Sequence, residues 1–411
     1  MHKPDINHFF IGFSTMSVKR LFVPISIVGL IMIMTFSSCK RSTIVEIQSS
    51  TPQEAKVAKP QVKVFLENSG SMDGYMCDGS ELKDGIYNYL SAINSYADTM
   101  QLYYINSEII PKNVTLKNYI HNLTPSNFKQ AGGNRSFSDI PQLFENVLSQ
   151  INDNTIGIYI SDCILDIPNH AAPDFLNITR TDIHTHFTDK CKKVKDLAVC
   201  VYQLESTFKG NYYFPKGGSK AYEGKRPYYM IIVGQRSQLA DLRSNISDET
   251  ITHGVKNYCA FSNGCDINAV LIKGGSEADK LKLNTKRDGR YYFDVLVDFD
   301  GTLQDNRYLS DVNHFEWINT SKLFIESINQ VTSASSQYSH VMTLSVDDNV
   351  FSDMVQLKNA GLPEWVKTSS DPKGDSVSNG KTFGIDCIIG GISDAFPQKS
   401  IANYKLNIKK K

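Results

Sequence analysis

An excess of charge of either sign is missing from this sequence. Its 411 residues carry 43 Lys plus Arg against 43 Asp plus Glu, so the net charge is zero. A balanced chain offers no electrostatic footprint for a phosphate backbone, which argues against nucleic acid as the main partner. Cysteine is scarce: eight residues in this length are too few for a disulfide scaffold. The apolar run at 21–36 has sixteen residues and contains Pro24, short of the roughly 20 that a membrane-spanning helix needs. There is no Gly-x-x-x-x-Gly-Lys phosphate loop and no internal repeat. Apolar residues make up 41% and charged residues 21%, which excludes wholesale disorder and collagen-like order. At roughly 150 residues per domain, the length allows two or three domains.

The run at 21–36, LFVPISIVGLIMIMTF, follows Lys19-Arg20. A basic stretch before a short apolar core is a secretory signal. Phe36-Ser37-Ser38-Cys39 comes next, and small residues running into a cysteine here resemble a bacterial lipobox. The resemblance implies cleavage before Cys39 and acylation of that residue, with several chains giving stable anchoring. Residues 1–38 are therefore expected to be a lipoprotein signal peptide, with Met16 as a candidate true start. Residues 39–60, rich in Ser, Thr, Gln and Lys, read as a tether. Lys40 stands where an Asp would retain the protein at the inner membrane. The expected location is the cell envelope, lipid-anchored at the outer membrane and facing the periplasm. Seven cysteines remain after Cys39, so at least one is unpaired; Cys259 and Cys265 form the best local pair.

From residue 61, apolar runs alternate with helical stripes. VKVFL (62–66), QLYYI (101–105), TIGIYIS (155–161), LAVCVYQL (197–204) and YYMIIVG (228–234) read as strands. Leu82, Ile86, Tyr89, Leu90 and Ile93 share one helical face, as do Leu143, Phe144, Val147, Leu148 and Ile151. Residues 237–246 suggest another helix. This alternation implies an α/β fold with a doubly wound, mostly parallel sheet. Residues 205–226 look like a hairpin-like insertion. After about 285 the pattern turns to strands, at 291–300, 341–348 and 403–411. The expected organisation is an α/β domain over 61–285 followed by a smaller β-rich domain over 286–411.

The first strand runs into Glu67-Asn68-Ser69-Gly70-Ser71. Gly132-Gly133-Asn134-Arg135-Ser136-Phe137-Ser138-Asp139-Ile140 leads into a helix, and a later strand ends in Ser161-Asp162. These three pieces, in this order, resemble the von Willebrand factor A domain and its metal-ion-dependent adhesion site. The resemblance covers roughly 61–246. It implies that Glu67, Ser69, Ser71, Ser138 and Asp162 surround Mg²⁺, or else Mn²⁺ or Ca²⁺, and that a protein partner completes the shell with a carboxylate. Hydroxyls and carboxylates at the carboxyl ends of strands suit such hard cations independently of the family. The sequence departs from the family at Glu67, where the family has Asp, at Ser138, where it has Thr, and at Cys163, where it has Gly. The expected class is a binding protein, not an enzyme.

A second motif competes. Val297-Asp298-Phe299-Asp300-Gly301-Thr302 resembles the first motif of haloacid dehalogenase-like Mg²⁺ phosphatases, with Asp298 as nucleophile and Asp300 as general acid. The remaining chain shows no clear βαβ alternation and no matching metal motif, and Asp-Gly also suits a plain turn. His184-Thr185-His186 near Cys191 has no second ligand pair and no shared helical face for zinc.

Overall fold

The structure is a computed structural model that describes residues 42–46 and 58–411, apart from 137, 169–173, 268–269, 273–279, 285–287, 320–322, 334–335, 337, 347–352, 360, 376, 378–379, 407–408 and 411. Residues 1–38, expected to be a signal peptide, and Cys39 lie outside the described residues. Among the described residues, no helix is long and apolar enough to cross a membrane.

The first half holds strands β1 (Gln61–Glu67), β2 (Thr99–Ile105), β3 (Ile109–Pro111), β4 (Thr155–Ser161), β5 (Leu197–Tyr213), β6 (Ser219–Gln235) and β7 (Asn257–Ser262). Its main helices are α1 (Glu81–Tyr96), α2 (Ile140–Ser149), α3 (Phe175–Cys191) and α4 (Arg236–Asn245). The strands form one sheet in the order β3-β2-β1-β4-β6-β5-β7. β1 lies parallel to both β2 and β4. It is buried on both faces, with Val62, Val64 and Leu66 in one core and Phe65 in the other. This is the pattern expected of a central parallel strand.

The alternation of strands and helices is therefore realised as an α/β fold, and its parallel core is β2-β1-β4. Beyond β4 the winding changes. β5 and β6 are the two arms of one long hairpin, in register from Leu197↔Gln235 to Tyr213↔Ser219. Strands joined by a tight turn must run antiparallel, so β6 meets β4 antiparallel and β5 lies one place further out. Gly217 and Gly218, both at positive φ, close that turn. The insertion expected at 205–226 is the far end of these strands. It projects beyond the stretches where β4 and β7 flank them.

Helices cover both faces. Leu82, Ile86, Tyr89 and Ile93 of α1 and Leu239 of α4 pack on one side. Phe144 and Val147 of α2 and Ile183 and Phe187 of α3 pack on the other. Here the expected boundary at 285 blurs. Helix α5 (Ile385–Asp394) comes from the C-terminal region, yet its Ile385, Ile388, Ile389 and Ile392 belong to this second core. A Cβ on Gly391 would lie 2.6 Å from the Arg180 carbonyl oxygen, so glycine lets α5 approach α3 closely. Arg180 then grips Asp394 through Nε at 2.6 Å and Nη2 at 2.9 Å.

The β-rich part contains β8 (Val270–Ile272), β9 (Tyr291–Val297), β10 (Phe315–Trp317), β11 (Leu323–Gln330), β12 (His340–Val346), β13 (Asp353–Lys358) and β14 (Ser400–Leu406). One antiparallel sheet runs β8-β9-β12-β11; another places β13 between β10 and β14. Phe293, Val295, Met342 and Leu344 share a core with Val355, Leu357, Tyr404 and Leu406. Within the stretch expected to be a tether, Ser42–Glu46 is a strand paired antiparallel with Lys280–Asn284. Cys259 and Cys265, the best local pair by sequence, are both free thiols, as are the other described cysteines.

Candidate functional site

The three sequence pieces meet at the carboxyl ends of β1 and β4. β1 ends at Glu67, a short 3₁₀ turn begins at Ser71, and β4 ends at Ser161, just before Asp162. Ser138 precedes α2, whose N-cap is Asp139, with Oδ1 accepting from Gln142 N at 3.2 Å. Ser138 is thus left to serve the site rather than the helix.

Two linked hydrogen-bond groups result. In the first, the hydroxyls of Ser69 and Ser71 lie 2.9 Å apart, and Ser71 Oγ donates to Asp162 Oδ1 at 3.2 Å. Ile164 N also donates to that oxygen, at 3.3 Å. The other oxygen, Oδ2, is buried and has no hydrogen-bond partner among the described residues. Burial pushes the Asp162 carboxyl up to about 7; the Glu67 charge adds to this, and the Arg226 guanidinium opposes it. Arg226, on β6, is 1% exposed and stacks over the Tyr212 ring at 4.5 Å.

The second group centres on Glu67, itself 1% exposed. Its Oε1 accepts from Ser138 Oγ at 2.7 Å. Its Oε2 accepts from Tyr159 OH at 2.8 Å and from Ser161 Oγ. The additional methylene of Glu carries the carboxylate into this hydroxyl cage. The five expected residues therefore gather at one end of the sheet but fall into two sets, with Ser69, Ser71 and Asp162 on one side and Glu67 and Ser138 on the other.

The cleft above them measures about 310 Å³, and its lining includes Ser69, Ser71, Arg135, Ser138, Asp166 and Tyr213. Sequence reading missed several of these contributors. Asp166 Oδ2 accepts from Ser138 N at 2.7 Å, and burial raises its carboxyl against the pull of that N–H. Arg135 donates from Nε to Asn68 Oδ1 at 2.6 Å and from Nη2 to the Ser69 carbonyl at 3.1 Å, and it pairs with Asp73. Tyr213 arrives on the hairpin arm, and the arm lies on the 3₁₀ turn so closely that a Cβ on Gly74 would fall 2.4 Å from Phe208. Tyr159 and Ser161 were legible in principle, because residues two apart on β4 face the same side. Asp166 and Tyr213 carried no motif, and Arg135 lay within the second sequence piece without being given a role. Cys163 adopts φ of 54°, a left-handed backbone that favours Gly.

Two hydroxyls and a carboxylate with one unused buried oxygen fit a hard divalent cation. Glu67 fits less well, because three donors already occupy its oxygens. Among the described residues, no group of three or more His, Cys, Asp and Glu side chains could hold a metal on its own, so any cation site here depends on the serines.

The second motif lies elsewhere. Asp298 follows β9, whose neighbours β8 and β12 are both antiparallel to it. Asp298 Oδ1 accepts from Asp300 N at 3.0 Å, the bond of a turn former. His184 and His186 sit within α3.

No protein-family model matches this chain, and neither does any curated protein or solved structure.

Proposed function

We propose that this chain is a lipoprotein of the bacterial cell envelope. It is anchored through Cys39 at the outer membrane, facing the periplasm. It binds a protein partner through a von Willebrand A-like site assisted by Mg²⁺, Mn²⁺ or Ca²⁺. One observation carries the reading: Asp162 Oδ2 is buried without a partner, on a carboxylate already bonded to Ser71 and through it to Ser69. Ser69, Ser71 and Asp162 are the residues that would hold the cation. When bound, it supplies positive charge for a carboxylate of the partner. Ser138 and Glu67 brace the floor, and Arg135 and Tyr213 flank the mouth.

A second reading rests on Arg226. This buried guanidinium already acts on Asp162 as a counter-charge, and in that reading the site is a scaffold needing no cation. Thermal melting separates the two. A cation that binds only the folded state, at about 100 times its dissociation constant, stabilises by about 2.7 kcal/mol. Melting is expected to rise with Mg²⁺ or Mn²⁺ and to return with chelator. Ser69→Ala combined with Asp162→Ala removes the rise. A wild-type protein that shows no shift at millimolar cation supports the scaffold.

A further inference from the structure

Glu67 stands where the resemblance puts a cation ligand, yet its carboxylate is buried and does not line the cleft. Ser138, Tyr159 and Ser161 occupy its two oxygens. A cation held by Ser69, Ser71 and Asp162 alone has a single protein carboxylate in its shell. Hard divalent cations bind more tightly as the charge of their ligands rises, so the place left by Glu67 matters. A different part of the chain fills it.

The chain bends sharply after Asp162. Cys163 takes a left-handed backbone, and Asp162 Oδ1 accepts from Ile164 N, two residues on, at 3.3 Å. Leu165 is then buried in the second core, and Ile167 N donates to the Pro215 carbonyl at 2.9 Å. Asp166 lies between these two anchors and lines the cleft with Ser69, Ser71 and Ser138. Its Oδ2 accepts from Ser138 N at 2.7 Å. Its Oδ1 makes no hydrogen bond among the described residues, on a side chain that is half-buried.

Charge points the same way. Arg135, the cationic side chain of the cleft lining, is engaged by Asp73, by Asn68 Oδ1 and by the Ser69 carbonyl. The charge that acts on Asp166 is that of Glu67, a like charge. Glu67, Asp162 and Asp166 thus gather at this sheet end, with Arg226 as the buried guanidinium that opposes them at Asp162. Carboxylates confined together are unfavourable, and a divalent cation relieves that repulsion. The partnerless Oδ2 of buried Asp162 is a separate sign that a ligand belongs here. We infer that Asp166, rather than Glu67, is the second carboxylate ligand of this cation site, joining Ser69, Ser71 and Asp162. Ser138 N, at the entrance to α2, holds its other oxygen and orients it. The inference rests on the cation reading above and deepens it by naming the residue that supplies the missing charge.

The test is Mn²⁺ binding by the full chain in detergent, read from loss of the free-ion electron paramagnetic resonance signal. The wild type is expected to saturate at a single site. Asp166→Asn keeps an amide oxygen for Ser138 N but loses the charge. Its cation-free melting temperature should not fall, while its Mn²⁺ affinity should drop by at least about tenfold. Glu67→Gln should lose several-fold less than Asp166→Asn, because Glu67 stays outside the shell. If Asp166→Asn binds Mn²⁺ as the wild type does, Asp166 only braces Ser138; the inference is overturned, while a site of Ser69, Ser71 and Asp162 stands. If Glu67→Gln loses as much as Asp166→Asn, the two carboxylates do not divide as inferred and the inference is overturned again. A wild type that binds no Mn²⁺ at millimolar concentration overturns the cation reading together with it.

Discussion

Glu67 offers the sharpest test of how the site is built. Its carboxylate accepts hydrogen bonds from Ser138, Tyr159 and Ser161, and all three residues are at most 6% exposed. Glu67→Leu keeps much of the volume and removes every acceptor. A buried hydroxyl left without a partner costs about 1–3 kcal/mol. Ser161 Oγ is partly compensated, because it still accepts from Cys163 N at 2.7 Å. Tyr159 OH retains Ser161 as a neighbouring hydrogen-bond partner, which leaves Ser138 Oγ as the hydroxyl with no other hydrogen bond among the described residues. Relief from burying a charge offsets part of the loss, so the expected net destabilisation is about 1–4 kcal/mol, a sizeable fraction of a typical stability of about 5–15 kcal/mol. Glu67→Gln differs in kind. Its carbonyl can keep the two donors on one side, and Ser138 can rotate its hydroxyl to accept from the new NH₂ group. The expected cost falls to about 1 kcal/mol. Urea denaturation of the three proteins measures the order wild type, Gln, Leu. If the Leu variant matches the wild type, the cage contributes nothing and the account of why Glu stands at this position is wrong.

Two further expectations follow from other parts of the chain. Cys39→Ala should lose acyl label and leave the membrane fraction; a variant that stays membrane-bound with unchanged mobility refutes the lipobox reading. His340 is 4% exposed, with Nε2 3.1 Å from Asn306 Oδ1, and burial lowers its pKa to about 4. A histidine whose folded pKa is depressed resists protonation only when folded. The unfolded chain therefore binds the extra proton between about pH 6.5 and 4, and stability falls as pH falls through that window. The loss assigned to His340 is of order 2 kcal/mol. His340→Gln should flatten that part of the urea-derived stability profile between about pH 7 and 4.5; an unchanged slope would remove His340 as its source.

Much of the first half was legible because local patterns and tertiary demands agree there. Strand β4 spans the seven residues read as TIGIYIS, since an uninterrupted apolar run bounded by turn residues has few other places to go in a parallel core. The stripe on α1 is buried as its spacing requires. The order Glu67, Ser69, Ser71, then Ser138, then Asp162 was enough to place these residues at one sheet end, because carboxyl ends of parallel strands converge. Periodicity could not reveal that β5 and β6 close into one hairpin. An apolar strand reads the same in either direction, and only pairing decides which. Nor could it show that α5 leaves the β-rich part to cover the other sheet, a choice made by Gly391 and the Arg180–Asp394 grip over a long sequence separation. The same holds inside the site. Sequence supplied the oxygen donors. Only the fold decided that Glu67 turns into a hydroxyl cage while Asp162 keeps an unpartnered oxygen, because a hydrogen bond depends on distances of a few tenths of an ångström set by packed backbones far apart in the chain.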